Sequence, residues 1–559
     1  MSRQQPGDFD VIVVGSGCGG SMSVHRLVHS GARVLNLEYG PEYTEEDLGS
    51  FEQYYDAYPR LGYAPLKRAL ERPGPGSWKR APYFEFADEM PYETAGEGWY
   101  WRRYRGVGGR SMFWAGVAPR MSELDFREPE VDGFGPTWPL TYDELKPHYD
   151  WIDAKLGRVG PTENHPNVPA GLPQPPQGLR CGERIIQATC ERLKGEFPLL
   201  RYTHSPKMIA TRPMGAGRAP CHYLGNCMEG CRNAAKFQAK YHVYPAAQAT
   251  GLLTLRPNSV VLEVLVDPAS GRAAGVRYVD RVTKQDYEAR APIVVVAAST
   301  LDTPRILLNS RSARFPNGVG NGSGHVGRHL NDHIQCSVIG YLPQLYGHRT
   351  YNDDGYTFGV MIPRFTNSYQ QKAGFIRGWE GRSGSGKGVN AGLPGFGKGL
   401  KDGIRERYQA RISLLGFGAK VDNPGTFVEP DPSGRKDEYG MPLAKIHSAY
   451  ADNDLKIFAD MREKFTYILE QAGAESIRPS AAPSQPGTSE HEVGTCRMTR
   501  DAKDGVCDRF GRVHEVANLF VADGSVFTQQ TDKSPTLTIM ALALRQADFI
   551  AQQWKRKEL

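Results

Sequence analysis

The first forty residues combine short apolar runs with a helical pattern. Residues 10–14 read Asp-Val-Ile-Val-Val, a β-branched run typical of a buried parallel strand. Residues 21–30 carry apolar side chains at helical spacing, and Gly31 follows where the helix is expected to end. Residues 32–38 form a second short strand that ends in an acidic side chain. The pattern predicts one βαβ unit.

Further along the chain, the pattern predicts short strands, long helices and two irregular stretches. Strands are predicted at residues 252–255, 259–266, 274–280 and 292–298, with a helix at 299–310 after the last of them. Longer helical periodicity occurs at residues 453–473 and 535–553. Residues 160–220 are rich in Pro and Gly, and residues 370–405 are rich in Gly with few aliphatic side chains. We interpret the second stretch as a long loop or lid.

Composition and charge exclude several classes of protein. The chain has 559 residues, of which 40% are hydrophobic and 23% are charged, as in ordinary globular proteins. Its formal net charge is +6 and no run of Lys or Arg stands out, so we expect no binding to nucleic acid. No apolar stretch of about 18 residues predicts a membrane span. Residues 1–7 lack the order of charged, apolar and small residues that marks a signal peptide.

The turn after the first strand has the pattern G-x-G-x-x-G of a dinucleotide site. Gly15 would permit the tight turn, Gly17 would let the backbone approach a pyrophosphate, and Gly20 would let helix and strand pack closely. The helix N-terminus supplies free N–H groups for phosphate oxygens. Glu38, at the end of the second strand, can bind the ribose hydroxyls of either NAD or FAD. The position of the unit at the start of a large chain favours FAD.

Five separated blocks of sequence occur in one characteristic order. They are residues 10–40, 104–116 with 138–145, 298–308, 326–333, and 491–495 with 518–525 and 535–542. Together they resemble the glucose-methanol-choline (GMC) flavoprotein oxidoreductases. The resemblance implies an α/β (α+β) fold, in which a Rossmann-like FAD-binding domain is interleaved with a substrate-binding domain built on an antiparallel sheet. It also implies FAD as cofactor and oxidation of an alcohol as the reaction.

The family pattern also implies domain limits and contacts to the cofactor. The FAD-binding domain would comprise residues 1–160, 217–335 and 489–559, with a cysteine loop at 220–236, and the substrate-binding domain 161–216 and 336–488. Besides Gly15, Gly17, Gly20 and Glu38, the implied FAD contacts are Gly108, Gly109, Ser111, Trp114, Ala115, Val261, Asp523, Gly524, Pro535 and Thr536. The segment around Gly109 would wrap the flavin and the pyrophosphate. Val261, or its neighbour Val260, would lie near the adenine.

A histidine is the candidate base for alcohol oxidation. Hydride transfer from the C–H bond to flavin N5 requires that the O–H proton go to a base, and imidazole has a suitable pKa. His491, in His-Glu-Val-Gly-Thr, matches the catalytic histidine of the family. The family's second polar residue, a His or an Asn, is replaced here by Ser534. Ser534 would bind the substrate oxygen directly or through water, or Asp532 or Gln530 would take part instead.

Three of the nine cysteines lie within eleven residues. Cys221, Cys227 and Cys231 have the spacing C-x5-C-x3-C, and the segment resembles the [3Fe–4S] cluster loop of bacterial FAD-dependent sugar dehydrogenases of the family. Such a cluster, with one cysteine on each iron, would pass the two electrons of reduced flavin singly to a haem acceptor. The alternatives are free thiols, a disulfide, or a zinc site completed by His222.

The preferred interpretation is therefore an FAD-dependent dehydrogenase that acts on a sugar or glycoside, with C3 as the first candidate position. Assemblies of this kind imply a small partner subunit that carries the export signal and a c-type cytochrome as electron acceptor. They also imply a periplasmic location reached by co-export, with the cytoplasm as the alternative. The alternative functions are a GMC oxidase that uses oxygen and, in another class, a non-catalytic flavoprotein or binding subunit.

Overall fold

The computed structural model describes residues 8–44, 84–85, 91–161, 163, 165–215, 217–223, 227–231, 233–348, 358–368, 373–386 and 393–559. The strands are β1 (Val11–Val14), β2 (Val34–Leu37), β3 (Phe84–Glu85), β4 (Glu93–Gly96), β5 (Arg103–Tyr104), β6 (Thr203–His204), β7 (Leu253–Arg256), β8 (Ser259–Val266), β9 (Ala273–Asp280), β10 (Asp286–Arg290), β11 (Ile293–Val296), β12 (Ile334–Tyr341), β13 (Val360–Ile362), β14 (Trp379–Gly386), β15 (Arg411–Gly418), β16 (Phe427–Pro430), β17 (Ala444–Ser448), β18 (Glu475–Pro479) and β19 (Leu519–Val521). The α-helices are α1 (Cys18–His29), α2 (Glu123–Asp132), α3 (Tyr142–Ile152), α4 (Cys181–Arg192), α5 (Ala239–His242), α6 (Tyr244–Gln248), α7 (Asp302–Asn309), α8 (Gly397–Arg407), α9 (Asp452–Gln471) and α10 (Thr536–Lys555).

A five-stranded parallel sheet forms the centre of the first layer. Its order is β19-β11-β1-β2-β7, and every neighbouring pair is parallel. The β-branched run of β1 is fully buried because helices cover the sheet, and α1 packs against α10. The antiparallel sheet β10-β9-β8 joins the same hydrophobic core. The predicted βαβ unit and Rossmann-like layer are confirmed.

A six-stranded sheet forms the second layer. Its order is β18-β12-β15-β14-β13-β6, all pairs are antiparallel, and α9 packs across it. This sheet confirms the predicted antiparallel element. The prediction of a long loop at residues 370–405 is wrong, because β14 lies inside that range and α8 begins within it. Glycine at position 381 serves packing rather than flexibility, since a Cβ there would lie 2.9 Å from the ring of Phe465.

The predicted domain limits stay a prediction, and the three-stranded sheet β16-β17-β4 bears on them. In this sheet β17 pairs antiparallel with β16 and parallel with β4. Trp99, Trp101 and Leu301 pack in one buried cluster with Val428 and Ile446. Residues 427–448, which the sequence assigns to the substrate-binding domain, thus pack against segments assigned to the FAD-binding domain. In the described part of the chain, no helix has the length and apolar character needed to cross a membrane.

Candidate active site

A cavity of about 500 Å³ lies between the parallel sheet and the six-stranded sheet. Val14, Leu37 and Ala297, at the carboxyl ends of β1, β2 and β11, line one part of it. Leu415 and Phe417 of β15 line another part. Ligands of open parallel sheets bind at the carboxyl ends of the strands, so the cavity occupies the position expected for a dinucleotide.

The glycine turn between β1 and α1 has the geometry of a phosphate-binding loop. Gly15 has φ +93°, and a Cβ on it would lie 2.3 Å from the carbonyl oxygen of Ala297. Gly17 caps α1, and nothing lies within 4 Å of where its Cβ would be. Gly20 faces the protein rather than the cavity, with its Cβ position 2.1 Å from the carbonyl oxygen of Gly15. The turn therefore leaves open space in front of the N-terminus of α1, where a pyrophosphate would fit.

Glu38 braces this turn from the end of β2. Its Oε2 accepts hydrogen bonds from the backbone N–H (3.0 Å) and the hydroxyl (2.6 Å) of Ser16. Its Oε1 accepts one from the N–H of Gly40 at 3.0 Å. Burial raises the pKa of this carboxyl group, and these hydrogen bonds oppose the rise. A carboxylate offers about four acceptor positions, so Oε1 keeps one for a ribose hydroxyl.

Most of the other residues predicted to contact FAD also line the cavity. These are Gly109, Ser111, Trp114, Ala115, Val261, Asp523, Gly524, Pro535 and Thr536, with Val260 beside them. Gly108 does not line the cavity, and its N–H instead donates to the hydroxyl of Ser16 at 3.0 Å. The Asp523 carboxylate accepts from the N–H of Ser525 (2.9 Å) and of Ser299 (3.0 Å). The cavity fits FAD, although the individual contacts to it stay predictions.

The N-terminus of α10 lies at the cavity wall. Ser534, Pro535 and Thr536 line the wall at this point. The helix has 20 residues, and its unpaired N–H groups and positive dipole end are directed towards the cavity wall. Developing negative charge on a bound group would be stabilised there.

His491 lies in the same cavity, beside a second buried histidine. Its Nδ1 is 2.8 Å from Nδ1 of His333, and Nε2 of His333 is 2.7 Å from the carbonyl oxygen of Thr531. Burial lowers the pKa of His333 to about 4, so this ring is neutral near pH 7. The pKa of His491 is lowered well below its usual value by burial, by His333 and by the charges of Arg382 and Arg110.

The two neutral rings allow only one arrangement of protons. A carbonyl oxygen only accepts, so the single proton of His333 is on Nε2 and its Nδ1 is an acceptor. His491 must then donate from Nδ1. The lone pair of His491 is left on Nε2, to which none of the described residues forms a hydrogen bond. His491 therefore presents a proton acceptor in the cavity.

Asp332 fixes the backbone around His491. Its carboxylate accepts from the N–H of His491 (3.1 Å), from the N–H of Gly487 (2.9 Å) and from the hydroxyl of Ser489. Burial and the neighbouring Glu492 raise the pKa of this carboxyl group to about 6. The segment Asn-Asp-His at 331–333 thus holds both the backbone and the ring of His491.

Ser534 lies on the same cavity wall as an arginine from β14. The Arg382 guanidinium lines the cavity, and its Nη2 is 3.5 Å from the Ser534 hydroxyl. The same nitrogen is paired with the Glu380 carboxylate. Of the two residues suggested as substitutes for Ser534, Asp532 is paired with Lys533, and Gln530 donates to the carbonyl oxygen of His491 at 3.1 Å. Neither of them lines the cavity.

The three clustered cysteines lie outside the cavity wall. All nine cysteines are unpaired, so the disulfide alternative is not present. Cys227 packs with Val159 and Ile209, and Cys221 packs against this group. Burial raises the pKa of Cys221 to about 11. Among the described residues, no three His, Cys, Asp or Glu side chains are grouped closely enough to hold a metal ion.

Two buried lysines face these thiols. Burial lowers the pKa values of Lys207 and Lys236 to about 8, and nearby cysteines oppose this effect. The Lys236 ammonium donates to the backbone carbonyls of Met112 (3.1 Å) and Trp114 (3.0 Å), in the segment predicted to wrap the flavin. Met228, next to Cys227, lines the cavity. The cysteine loop is therefore connected to the cavity by direct contacts.

Comparison with known proteins places this arrangement in a family. Residues 10–335 match the N-terminal model of the GMC oxidoreductases, and residues 431–543 match the C-terminal model. The chain belongs to the GMC oxidoreductases. It is thus an FAD-dependent oxidoreductase that acts on CH–OH groups of alcohols or sugars.

Individual relatives include both dehydrogenases and oxidases. The chain is 28% identical to 2-methyl-1,2-propanediol dehydrogenase of Mycolicibacterium austroafricanum, over 98% of this chain and 95% of that protein. It is also 28% identical to the fructose dehydrogenase large subunit of Gluconobacter japonicus, over 98% of each chain. C-glycoside 3-oxidase of Arthrobacter globiformis is 29% identical over 53% of this chain and 52% of its own. The crystal structure of pyridoxine 4-oxidase from Mesorbium loti shares the fold, with a TM-score of 0.64, 19% identity, and coverage of 98% and 99% of the two chains.

Sequence reasoning missed four residues that the site brings together. Asp332 and His333 lie in a block that resembled the family, but nothing local showed that they hold His491. Arg382 lies in a glycine-rich stretch interpreted as a loop, and the sequence of residues 379–386 has no regular alternation that would indicate a strand. Lys236 carried no sequence signal, because its partners are more than 100 residues away.

Proposed function

We propose that this protein is an FAD-dependent dehydrogenase that oxidises a secondary hydroxyl group of a sugar or glycoside to a ketone, with C3 as the first candidate position. The observation that carries the proposal is the proton arrangement at His491, whose Nε2 is free to accept a proton in the cavity. Bound FAD supplies a two-electron acceptor for the hydride of the substrate carbon. His491 takes the hydroxyl proton at Nε2.

The surrounding residues prepare His491 for this role. His333 holds its proton on Nδ1, and Asp332 fixes its backbone. Since the pKa of His491 lies well below 6.5, the ring is unprotonated and ready to act near pH 7. Glu38 and the glycine turn would hold the ribose and pyrophosphate of FAD at the opposite end of the cavity.

Anaerobic reduction of the flavin tests this proposal. Holoenzyme is mixed without oxygen with glucose, methyl glucoside, a disaccharide, fructose or a short diol, and bleaching of the flavin absorbance is followed. We expect bleaching with at least one sugar and a ketone product. His491→Ala should keep bound FAD and slow bleaching about 100-fold or more. His447→Ala, a histidine paired with Glu429 outside the cavity, is the matched control. If no sugar or alcohol bleaches the flavin, a non-catalytic binding role is favoured.

We further propose that Cys221, Cys227 and Cys231 bind a [3Fe–4S] cluster, which makes the protein a dehydrogenase rather than an oxidase. The support is electrostatic, because a cluster bound by three thiolates is negatively charged and Lys207 and Lys236 are buried beside it. Such a cluster would supply one-electron transfer between reduced flavin and an acceptor. One relative is named as a large subunit, which supports a partner subunit for this chain. We also propose a c-type cytochrome as the electron acceptor and a periplasmic location reached by co-export with the partner subunit.

Iron and sulfide analysis tests this second part independently. We expect about three irons per flavin in protein purified without oxygen, as the proposed cluster requires. Cys227→Ser should lose the iron, keep flavin reduction and abolish transfer to a cytochrome c. Cys190→Ser, at a buried cysteine elsewhere, is the matched control. Protein without iron that forms hydrogen peroxide with its sugar would instead be an oxidase.

A further inference from the structure

Arg382 is a buried cation with unused hydrogen-bonding capacity at the edge of the active-site cavity. It is 2% exposed, and its Nη2 is shared between Glu380 and the Ser534 hydroxyl. Its Nη1 has no hydrogen-bond partner within the part of the chain that the structure describes. Buried N–H donors are rarely left unpaired, because the lost hydration is not replaced. A ligand oxygen in the cavity would complete this set of contacts.

The position of Arg382 relative to His491 indicates which oxygen of a bound ligand Arg382 would contact. Both residues line the cavity with Ser534, and the positive charge of Arg382 contributes to the lowered pKa of His491. Ser534 lies on the cavity wall just before the N-terminus of α10. A serine hydroxyl is short, but here it lies 3.5 Å from a guanidinium that extends the polar wall of the site.

We propose that Arg382 and Ser534 together bind the oxygen of the hydroxyl group that is oxidised, and that Arg382 stabilises the negative charge this oxygen develops. The inference rests on the proposed function. The O–H bond breaks and its proton goes to His491, the C–H bond breaks and its hydride goes to the flavin, and a C=O bond forms. Bound FAD would supply the acceptor for the two electrons that the alcohol loses. The guanidinium is charged throughout, so it acts as a preorganised donor and exchanges no proton.

Arg382 lies between a counter-ion and apolar side chains. Glu380 pairs with the guanidinium on one side. Lys533 and Asp532, which pair with each other, act on Glu380 with opposite charges. The Phe417 ring lies 5.9 Å from the guanidinium, and both Phe417 and Leu415 line the cavity beside Arg382. In such surroundings a charged donor acts strongly on a developing oxyanion.

Three variants of the holoenzyme test the proposal. Arg382→Met removes the donor, Arg382→Lys keeps the charge, and Arg364→Met removes another buried arginine that is paired with Glu128 and does not line the cavity. With the best reducing sugar or alcohol, Arg382→Met should slow the limiting rate of flavin reduction about 100-fold or more, as loss of an oxyanion donor does. The apparent Kd should change less than threefold. Arg382→Lys should recover part of the rate, and Arg364→Met should stay within threefold of the parent enzyme.

A second measurement does not depend on turnover. Acetate is titrated into each oxidised holoenzyme, and the shift of the flavin absorbance reports its binding in the cavity. We expect saturable binding to the parent enzyme and to Arg364→Met, and at least tenfold weaker binding to Arg382→Met. Binding that is equal in all variants would overturn the proposal, as would an Arg382→Met rate within threefold of the parent. If Arg382→Met does not fold, Arg382→Lys is decisive, because a donor role requires a slower rate or weaker acetate binding there. If no substrate bleaches the flavin, the proposed function fails while acetate still tests the anion site.

Discussion

The contact between His333 and His491 can be tested with two substitutions of nearly equal shape. His333→Asn keeps an acceptor close to the position of Nδ1, whereas His333→Leu has no polar atom there. Both lose the hydrogen bond to the carbonyl oxygen of Thr531, so their difference isolates the contact to His491. In the Leu variant the Nδ1–H of His491 loses its buried acceptor, which costs about 1–3 kcal/mol. The proton can avoid this cost by moving to Nε2, where it blocks the base.

The magnitude follows from that cost. At about 1.4 kcal/mol for each factor of ten, the limiting rate of flavin reduction should fall about 5- to 150-fold in His333→Leu. The Asn variant should stay within about threefold of the parent enzyme, since its acceptor keeps the proton on Nδ1. Stopped-flow bleaching without oxygen measures both rates, and the flavin content of each variant checks that the site is intact. Equal rates in the Asn and Leu variants would refute the assignment of the proton.

Four other outcomes can be measured. Gly20→Ala should lower the Tm by several degrees and weaken FAD binding, because the new Cβ would lie 2.1 Å from the carbonyl oxygen of Gly15. Gly195→Ala is the control and should change neither property, because nothing lies within 4 Å of its Cβ position. Glu38→Gln should raise the Kd for FAD about tenfold or more, since hydrogen bonds to a charged acceptor are lost. The rate of flavin reduction should not change with pH above about 6.5, because His491 titrates well below that value. The pKa of His333 is about 4 in the folded chain, lower than the value of about 6.5 in the unfolded chain, so the stability that this residue contributes is present above pH 6.5 and is lost as the pH falls towards 4. This loss has a slope of up to about 1.4 kcal/mol of unfolding free energy per pH unit. Denaturant unfolding of His333→Asn should show a shallower loss of stability between pH 6.5 and pH 4.

The parts of the fold that sequence could predict are those with local patterns. The βαβ unit, the strands from 252 to 298 and α10 each carry their own hydrophobic periodicity and turn residues. Strand β14 could not be predicted in this way, because Gly381 is required by helix α9, about 80 residues away. Gly381 makes room for the Phe465 ring, and Gly416 on the neighbouring strand makes room for Met461. A composition typical of a loop is here the consequence of close packing.

The same distinction between local patterns and long-range contacts applies to the residues of the candidate site. Glycines and Glu38 could be found because the phosphate-binding turn is built from one continuous segment. His491 could be found only through resemblance to a family, and its hydrogen-bond acceptor His333, its backbone anchor Asp332 and the neighbouring cation Arg382 could not be found at all. His333 is 158 residues from His491, and Arg382 is 152 residues from Ser534. No periodicity reports contacts over such separations, which only the paired sheets bring together.

The electrostatics of the site favour proton transfer by acting on the alcohol as well as on the base. A histidine with a depressed pKa is a weak base, so by itself the burial of His491 would oppose removal of a very weakly acidic proton. The same positive charge of Arg382 that lowers the pKa of His491 also stabilises an alkoxide bound beside it, under the proposal above. The lowered pKa of His491 disfavours proton transfer, whereas stabilisation of the alkoxide favours it. Only the alkoxide would be in direct contact with the guanidinium. A direct charged hydrogen bond is stronger than a through-space effect, so the net effect of Arg382 should favour the transfer. The N-terminus of α10 adds positive potential on the same side of the cavity.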